Sequence, residues 1–149
     1  MDKIDRKIVV TLVANARRSL QDIANSVRLS PSATRDRVRR LERDGPIGRY
    51  TAVLDPIAMG FTVHAEAQVD MAPGSDPIAF EAGLRRMPAV VEVLHATGDY
   101  DYLVRLQCRD TTELHHVVRG IKEQLGALRT MTRVILDAPV PARPRLPDA

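Results

Sequence analysis

Three features of the sequence predict an α+β chain in two parts. Apolar residues recur at helical spacing up to about residue 44. From Phe61 onward, alternating runs take turns with helical ones. Between them lies a short Pro/Gly segment, "DPIAMG". The order of elements is that of an N-terminal winged helix-turn-helix followed by a ferredoxin-like βαββαβ unit. The expected divisions are 1–54 for the helical part, 55–60 for a hinge, 61–138 for the αβ part and 139–149 for a Pro-rich tail.

The first helix is expected over about 3–15. Asp2 is its N-cap, and Ile4, Ile8, Val9 and Leu12 form its apolar face. Ser19 caps a second helix, "LQDIANSV", with Asp22 in the capping-box place. Its inward face is Leu20, Ile23, Ala24 and Val27. Ser30-Pro31 is a strong start for a third helix, with Ser at the N-cap and Pro at N1. That helix should run to about Asp44, where Gly45 and Pro46 end it. Its apolar face, Ala33, Thr34, Val38 and Leu41, is thin. About three residues separate the second and third helices, and Ala24 leaves room for them to cross. "IGRYTAVLD" reads as the wing strand.

In the second part "FTVHAEAQVDM" is a strand and "APGSDP" a turn. Asp76 starts a helix to about Met87 with Ile78, Phe80, Ala82, Leu84 and Met87 available for burial. "VVEVLHAT" and "YDYLVRLQC" are strands joined by "GD". A helix from Asp110 to about Leu125 buries Leu114, Val117, Val118, Ile121 and Leu125, and "LRTMTRVILD" is the last strand. The tail "APVPARPRLPDA" should be extended or disordered.

Composition narrows the function classes. Net charge is only +3, yet residues 1–60 hold 12 Lys+Arg against 7 Asp+Glu, and the remainder 10 against 12. A basic excess confined to the first part fits a polyanionic partner met there. One cysteine, Cys108, rules out an intrachain disulfide framework. No run is apolar enough to span a membrane, and "MDKIDRKIVV" lacks a signal-peptide core, so a cytoplasmic protein is expected. His115 and His116 are adjacent and point about 100° apart on a helix, unlike an i, i+4 metal pair. Phosphate-binding glycine motifs are absent, Cys108 suits a buried strand position, and neither a metal nor a cofactor is expected.

The stretch "SPSATRDRVRRLERDG" carries five arginines in sixteen residues. With Thr34, Val38 and Leu41 inward, Arg35, Arg39 and Glu42 lie on the opposite arc. Arg37, Arg40 and Arg43 line its flanks. Ser30, Ser32, Arg35 and Asp36 occupy the end that enters the major groove in a helix-turn-helix. Arginine matches both guanine O6/N7 and phosphate oxygens. A plain solvated helix would instead pair Asp36 with Arg39 and Arg40 at i+3 and i+4. The capped helix before it and the predicted wing after it favour double-stranded DNA.

The chain resembles the Lrp/AsnC family, the feast/famine transcriptional regulators. The residues that carry the likeness are "IDRKIVVTL", "LQDIANSVRLSPSATRDRVRRLERDGPIGRYTAVLDP" and "VVEVLHATGDYDYLVRL". The resemblance spans about residues 3–138. It implies DNA binding through the helix-turn-helix, ligand sensing and dimerisation through the αβ part, and often octamers of four dimers. Two positions depart from the family pattern. Arg28 stands where the inter-helix turn usually has Gly, and Thr34 where an apolar residue is usual.

"TGDYDY" between two strands reads first as a hairpin turn. Alternation puts Asp99 and Asp101 on one side, and Tyr100 and Tyr102 on the other, where packing is their expected role. Carboxylates beside exposed N–H groups could hold the ammonium and carboxylate of an α-amino acid. The resemblance implies an effector site at this turn, near an interface between dimers, with Gly98, Asp99, Tyr100 and Asp101. It also implies that Thr130 and Thr132 of "RTMTRV" face that site. Two other classes stay open: an architectural DNA-binding protein without an effector, and a small αβ enzyme of amino-acid metabolism. The second lacks an acid–base–nucleophile set.

Overall fold

The computed structural model describes residues 1–140. The expectation for the tail therefore lies mostly outside the described residues. The chain divides after Val53 into two compact units.

The first unit holds α1 (Lys3–Ala14), α2 (Leu20–Val27) and α3 (Pro31–Arg43). Each start is set by a cap. Asp2 accepts from the Asp5 N–H at 2.8 Å, and Asp5 returns the bond at 3.2 Å, closing a capping box. Ser19 caps α2 through the Asp22 N–H, and Ser30 caps α3 through the Ala33 N–H. Ile8, Leu12, Ile23, Val27 and Leu41 form the core. Ala24 is fully buried.

The α2–α3 turn keeps its geometry without glycine. Arg28 takes the left-handed conformation at φ 58° and ψ 46°. Its N–H bonds to the Asn25 carbonyl, and the Leu29 N–H to that of Ala24, the pattern of a Schellman cap. A side chain in this conformation costs about 1 kcal/mol relative to glycine.

The predicted wing strand does not form. Residues 48–55 form no strand, although Tyr50 is tied back to α3 through its hydroxyl and Glu42 at 2.9 Å. A strand is defined by its ladder, and among the described residues this segment has no neighbouring strand to pair with.

The second unit contains β1 (Val63–Met71), α4 (Pro77–Arg85), β2 (Val90–His95), β3 (Tyr102–Cys108), α5 (Thr111–Glu123) and β4 (Ala127–Val134). The strands form one antiparallel sheet in the order β2-β3-β1-β4. Alternation sends Ala65, Ala67 and Val69 of β1 and Tyr102, Val104, Leu106 and Cys108 of β3 into the core. There they meet Phe80 and Leu84 of α4 and Leu114 and Ile121 of α5. Gly83 on α4 permits a close approach, since a Cβ there would lie 2.3 Å from the end of Leu125.

Ile78 is a correction to the expected core, because it is 78% exposed. Asp76 caps α4 and Pro77 opens it, and the buried stripe is Phe80, Gly83 and Leu84, which leaves Ile78 on the outer side.

Candidate nucleic-acid interface and effector turn

The third helix presents two kinds of arginine. Thr34 and Leu41 are buried and Val38 is half-buried, which fixes the inner face. Arg35, Asp36 and Arg39 are exposed, and Ser32 beside them lies 3.1 Å from the Ser30 hydroxyl. Asp36 forms no ion pair with Arg39 or Arg40 among the described residues. The outer face therefore keeps two extended cations behind a capped helix start.

Arg37 and Arg40 are engaged by carboxylates at the start of the first helix. Arg37 Nη1 donates to Asp2 at 2.6 Å and to Asp5 at 2.8 Å. Arg40 Nη2 donates to both Asp5 oxygens, at 2.9 and 3.1 Å. Asp5 is only 2% exposed. Burial alone would raise its pKa, but the Arg37 bond and the Asp2 N–H outweigh burial and hold the carboxyl below its ordinary value. Asp2, bonded chiefly by Arg37, is lowered to about 2. These guanidiniums fasten α3 to α1. Their flank position is as expected, but their charge is already neutralised. Arg43 pairs with the adjacent Asp44 at 2.9 Å on the surface.

Asp5 itself escaped the sequence reading. Asp5, Ile8 and Leu12 share one helical stripe, so an acid stands where an apolar residue is expected. Such a position calls for a cationic partner.

In the second unit Gly98 supplies φ 129° before Asp99. Among the described residues the N–H groups of Gly98, Asp99 and Tyr100 make no hydrogen bond. Asp99 and Tyr100 line a cleft with Gln68, Asp70, Arg129, Met131 and Arg133. Asp70 and Arg129 are paired with each other across it.

Asp101 is exposed, yet it is engaged in a structural task. Its N–H donates to the Val69 carbonyl at 3.0 Å, and its carboxylate accepts from the Met71 N–H at 2.7 Å. It thereby braces the end of β1 at the register shift between Asp70 and Met71. Tyr102 is buried, stacked 4.6 Å from His95, tilted against Phe80 at 5.1 Å, and donates to Glu81 at 3.2 Å. Burial first and Glu81 second raise its pKa.

Thr130 pairs with Val69 and Thr132 with Ala67, so both lie on the helix-covered side of the sheet. Arg129, Met131 and Arg133 take the other side. Within one chain the two threonines therefore do not meet Asp99 and Tyr100 in the cleft. Cys108 is fully buried, and burial raises its thiol pKa. No group of three or more His, Cys, Asp or Glu side chains suited to a metal occurs among the described residues. No described helix is long and apolar enough to cross a membrane.

Residues 1–42 match the AsnC-type helix-turn-helix domain, and residues 64–145 match the Lrp/AsnC ligand binding domain. The chain belongs to the Lrp/AsnC family. It is a transcriptional regulator of that family, with a helix-turn-helix and a ligand-binding domain. The chain is similar to the HTH-type transcriptional regulator FL11 of Pyrococcus horikoshii, at 31% identity over 91% of this chain and 89% of that one. It is 29% identical to the leucine-responsive regulatory protein of Escherichia coli, over 92% and 85%. Among solved structures it resembles a feast or famine regulatory protein of M. tuberculosis complexed with L-methionine. There the TM-score is 0.90 at 29% identity, covering 98% and 99%.

Proposed function

We propose that this regulator, acting in the cytoplasm, reads double-stranded DNA with the outer face of α3 and answers to an amino acid held at the Gly98–Asp101 turn. It needs no cofactor and catalyses no reaction. Residues 1–54 form the DNA-binding part, 55–60 the hinge and 61–138 the sensing and assembly part. The observation that carries the DNA reading is the sorting of arginines on one helix. Arg37 and Arg40 are spent on Asp2 and Asp5, while Arg35 and Arg39 stay exposed next to the Ser30 cap. Ser30, Ser32, Arg35 and Asp36 then face base edges, and Arg39 and Arg43 face phosphates.

For the effector, open N–H groups at Gly98–Tyr100 suit a carboxylate, and the exposed Asp99 suits an ammonium. Asp101 is already engaged by Met71. Thr130 and Thr132 lie across β4 from this cleft, so in this reading they touch an effector held by a second copy. The sheet face away from the helices exposes Leu94 and Met131, which favours self-association into dimers, and dimers into octamers. An effector bound there acts on DNA affinity by preferring one assembly.

A thermal-shift screen of amino acids, followed by titration of upstream DNA, tests the whole reading. Asp99→Asn should remove the effector's shift. Asp101→Asn should lower stability by about 1 kcal/mol while the shift persists. A shift that survives Asp99→Asn and vanishes with Asp101→Asn would reverse the two roles.

A further inference from the structure

Among the described residues, Arg28 is the one non-glycine residue at positive φ. It closes α2 in a position where glycine carries no steric cost. Its side chain is exposed, and it has no hydrogen-bond or ion-pair partner among the described residues. No contact among the described residues accounts for an arginine there.

The location offers an account. Arg28 stands two residues before Ser30, the N-cap of α3. At up to about 3.6 Å per residue, its Cα lies within about 7 Å of that of Ser30. The major groove is about 12 Å wide. A long side chain at the shoulder of a helix entering that groove can reach the phosphates along its rim.

We propose that Arg28 is a phosphate-binding residue of the DNA-binding unit, held in a strained backbone conformation beside the start of the recognition helix. The inference rests on the DNA reading above and adds a contact outside α3. The strain is local to the turn, and an external polyanion gives the cation a use that offsets it. A purely internal role also exists: a cation after the last turn of α2 favours the negative end of that helix. The two roles predict different salt dependence. A cation that meets a phosphate displaces a counterion from DNA, and one that meets a helix end does not.

The experiment uses the full chain and a labelled duplex of mixed sequence, titrated across a salt series. Wild type, Arg28→Gly, Arg28→Lys and Arg28→Gln are compared, with thermal midpoints recorded for each. Arg28→Gly and Arg28→Gln should both weaken binding several-fold at low salt. Both should reduce the slope of log affinity against log salt by about 1. Arg28→Lys should keep the slope. Arg28→Gly should melt at a higher temperature than wild type, so its weaker binding is not a failure to fold. If Arg28→Gly and Arg28→Gln bind with the wild-type slope and affinity, the phosphate role is overturned. A wild-type protein showing no salt-dependent duplex binding would instead overturn the DNA reading on which the role depends.

Discussion

The helical unit and the αβ unit are closed by different means. Among the described residues the αβ core gathers thirteen buried residues, among them Phe80, Leu84, Tyr102, Leu106 and Ile121, from both helices, the two central strands, Ala89 before β2 and Ala127 of β4. The helical unit gathers five, and its third helix contributes only Leu41 among them. Helix α3 has given most of its surface to arginine and cannot hold itself in place by apolar area alone. The Asp2–Asp5 clamp on Arg37 and Arg40 makes up the difference. A helix committed to a polyanion thus spends part of its own charge on its seat.

The largest effects should separate the two means of closure. Phe80→Ala removes a fully packed ring and should cost about 4 kcal/mol, all of it in the αβ unit. Asp5→Ala should cost about 2 kcal/mol in the helical unit. It removes several charge-assisted bonds, but the freed guanidiniums are partly exposed and can turn to water. Hydrogen exchange resolved by segment would check both. Loss of protection in residues 3–43 for Phe80→Ala, or in the sheet for Asp5→Ala, would show that the units do not melt separately.

Acid should act on the helical unit, and alkali on both. Asp2 and Asp5 have folded pKa values below the ordinary 3.8, about 2 for Asp2. A depressed carboxylate contributes stability that is complete above its unfolded pKa and is lost as pH falls through the folded one. The helical unit should therefore weaken from about pH 4 down to about pH 2. Tyr102 is shifted the other way, above 10.0, by burial and Glu81. Its contribution is present below the unfolded pKa and is lost as pH rises past it toward the folded value. Tyr50 of the helical unit is raised as well, to about 12, by burial and by Glu42, so both units should weaken in alkali. Near-ultraviolet absorbance of tyrosinate and helical circular dichroism, followed against pH, would separate the two losses. A common midpoint for both units on the acid side would contradict it.

How far the sequence could be read tracks how local each cause is. Helix starts were legible because their caps lie within three residues of the donors they satisfy, as Asp2, Ser19, Ser30 and Asp110 do. Strand faces were legible because alternation is local too. The wing was not, because pairing depends on a neighbour that the segment itself does not encode. The roles of Arg37 and Arg40 were hidden for the same reason, since their partner Asp5 lies 32 and 35 residues away. The turn at Gly98 was legible as a turn from its glycine. Its proposed role as an effector site came from the family resemblance, and the engagement of Asp101 by Met71 was visible only in the fold.

The smallest expected effect lies at Thr34, and it sharpens the contrast between the units. Thr34 is fully buried at the inner face of α3. Its hydroxyl has no hydrogen-bond partner among the described residues. In a helix the Thr hydroxyl can turn back to the carbonyl four residues earlier, here Ser30, but that carbonyl already receives the Thr34 N–H at 3.0 Å. A buried hydroxyl without a partner carries its desolvation cost unrelieved. Valine has nearly the same shape and no such cost. Thr34→Val should therefore stabilise the helical unit by about 1 kcal/mol, with Arg28→Gly adding a similar amount through the relaxed turn. The two gains should add if the sites do not share a partner. Thermal unfolding of both single variants and the double variant would measure this. A destabilised Thr34→Val would mean that the hydroxyl is satisfied in solution, by water or by a shift of α3, and that the thin core is better closed than its apolar residues suggest.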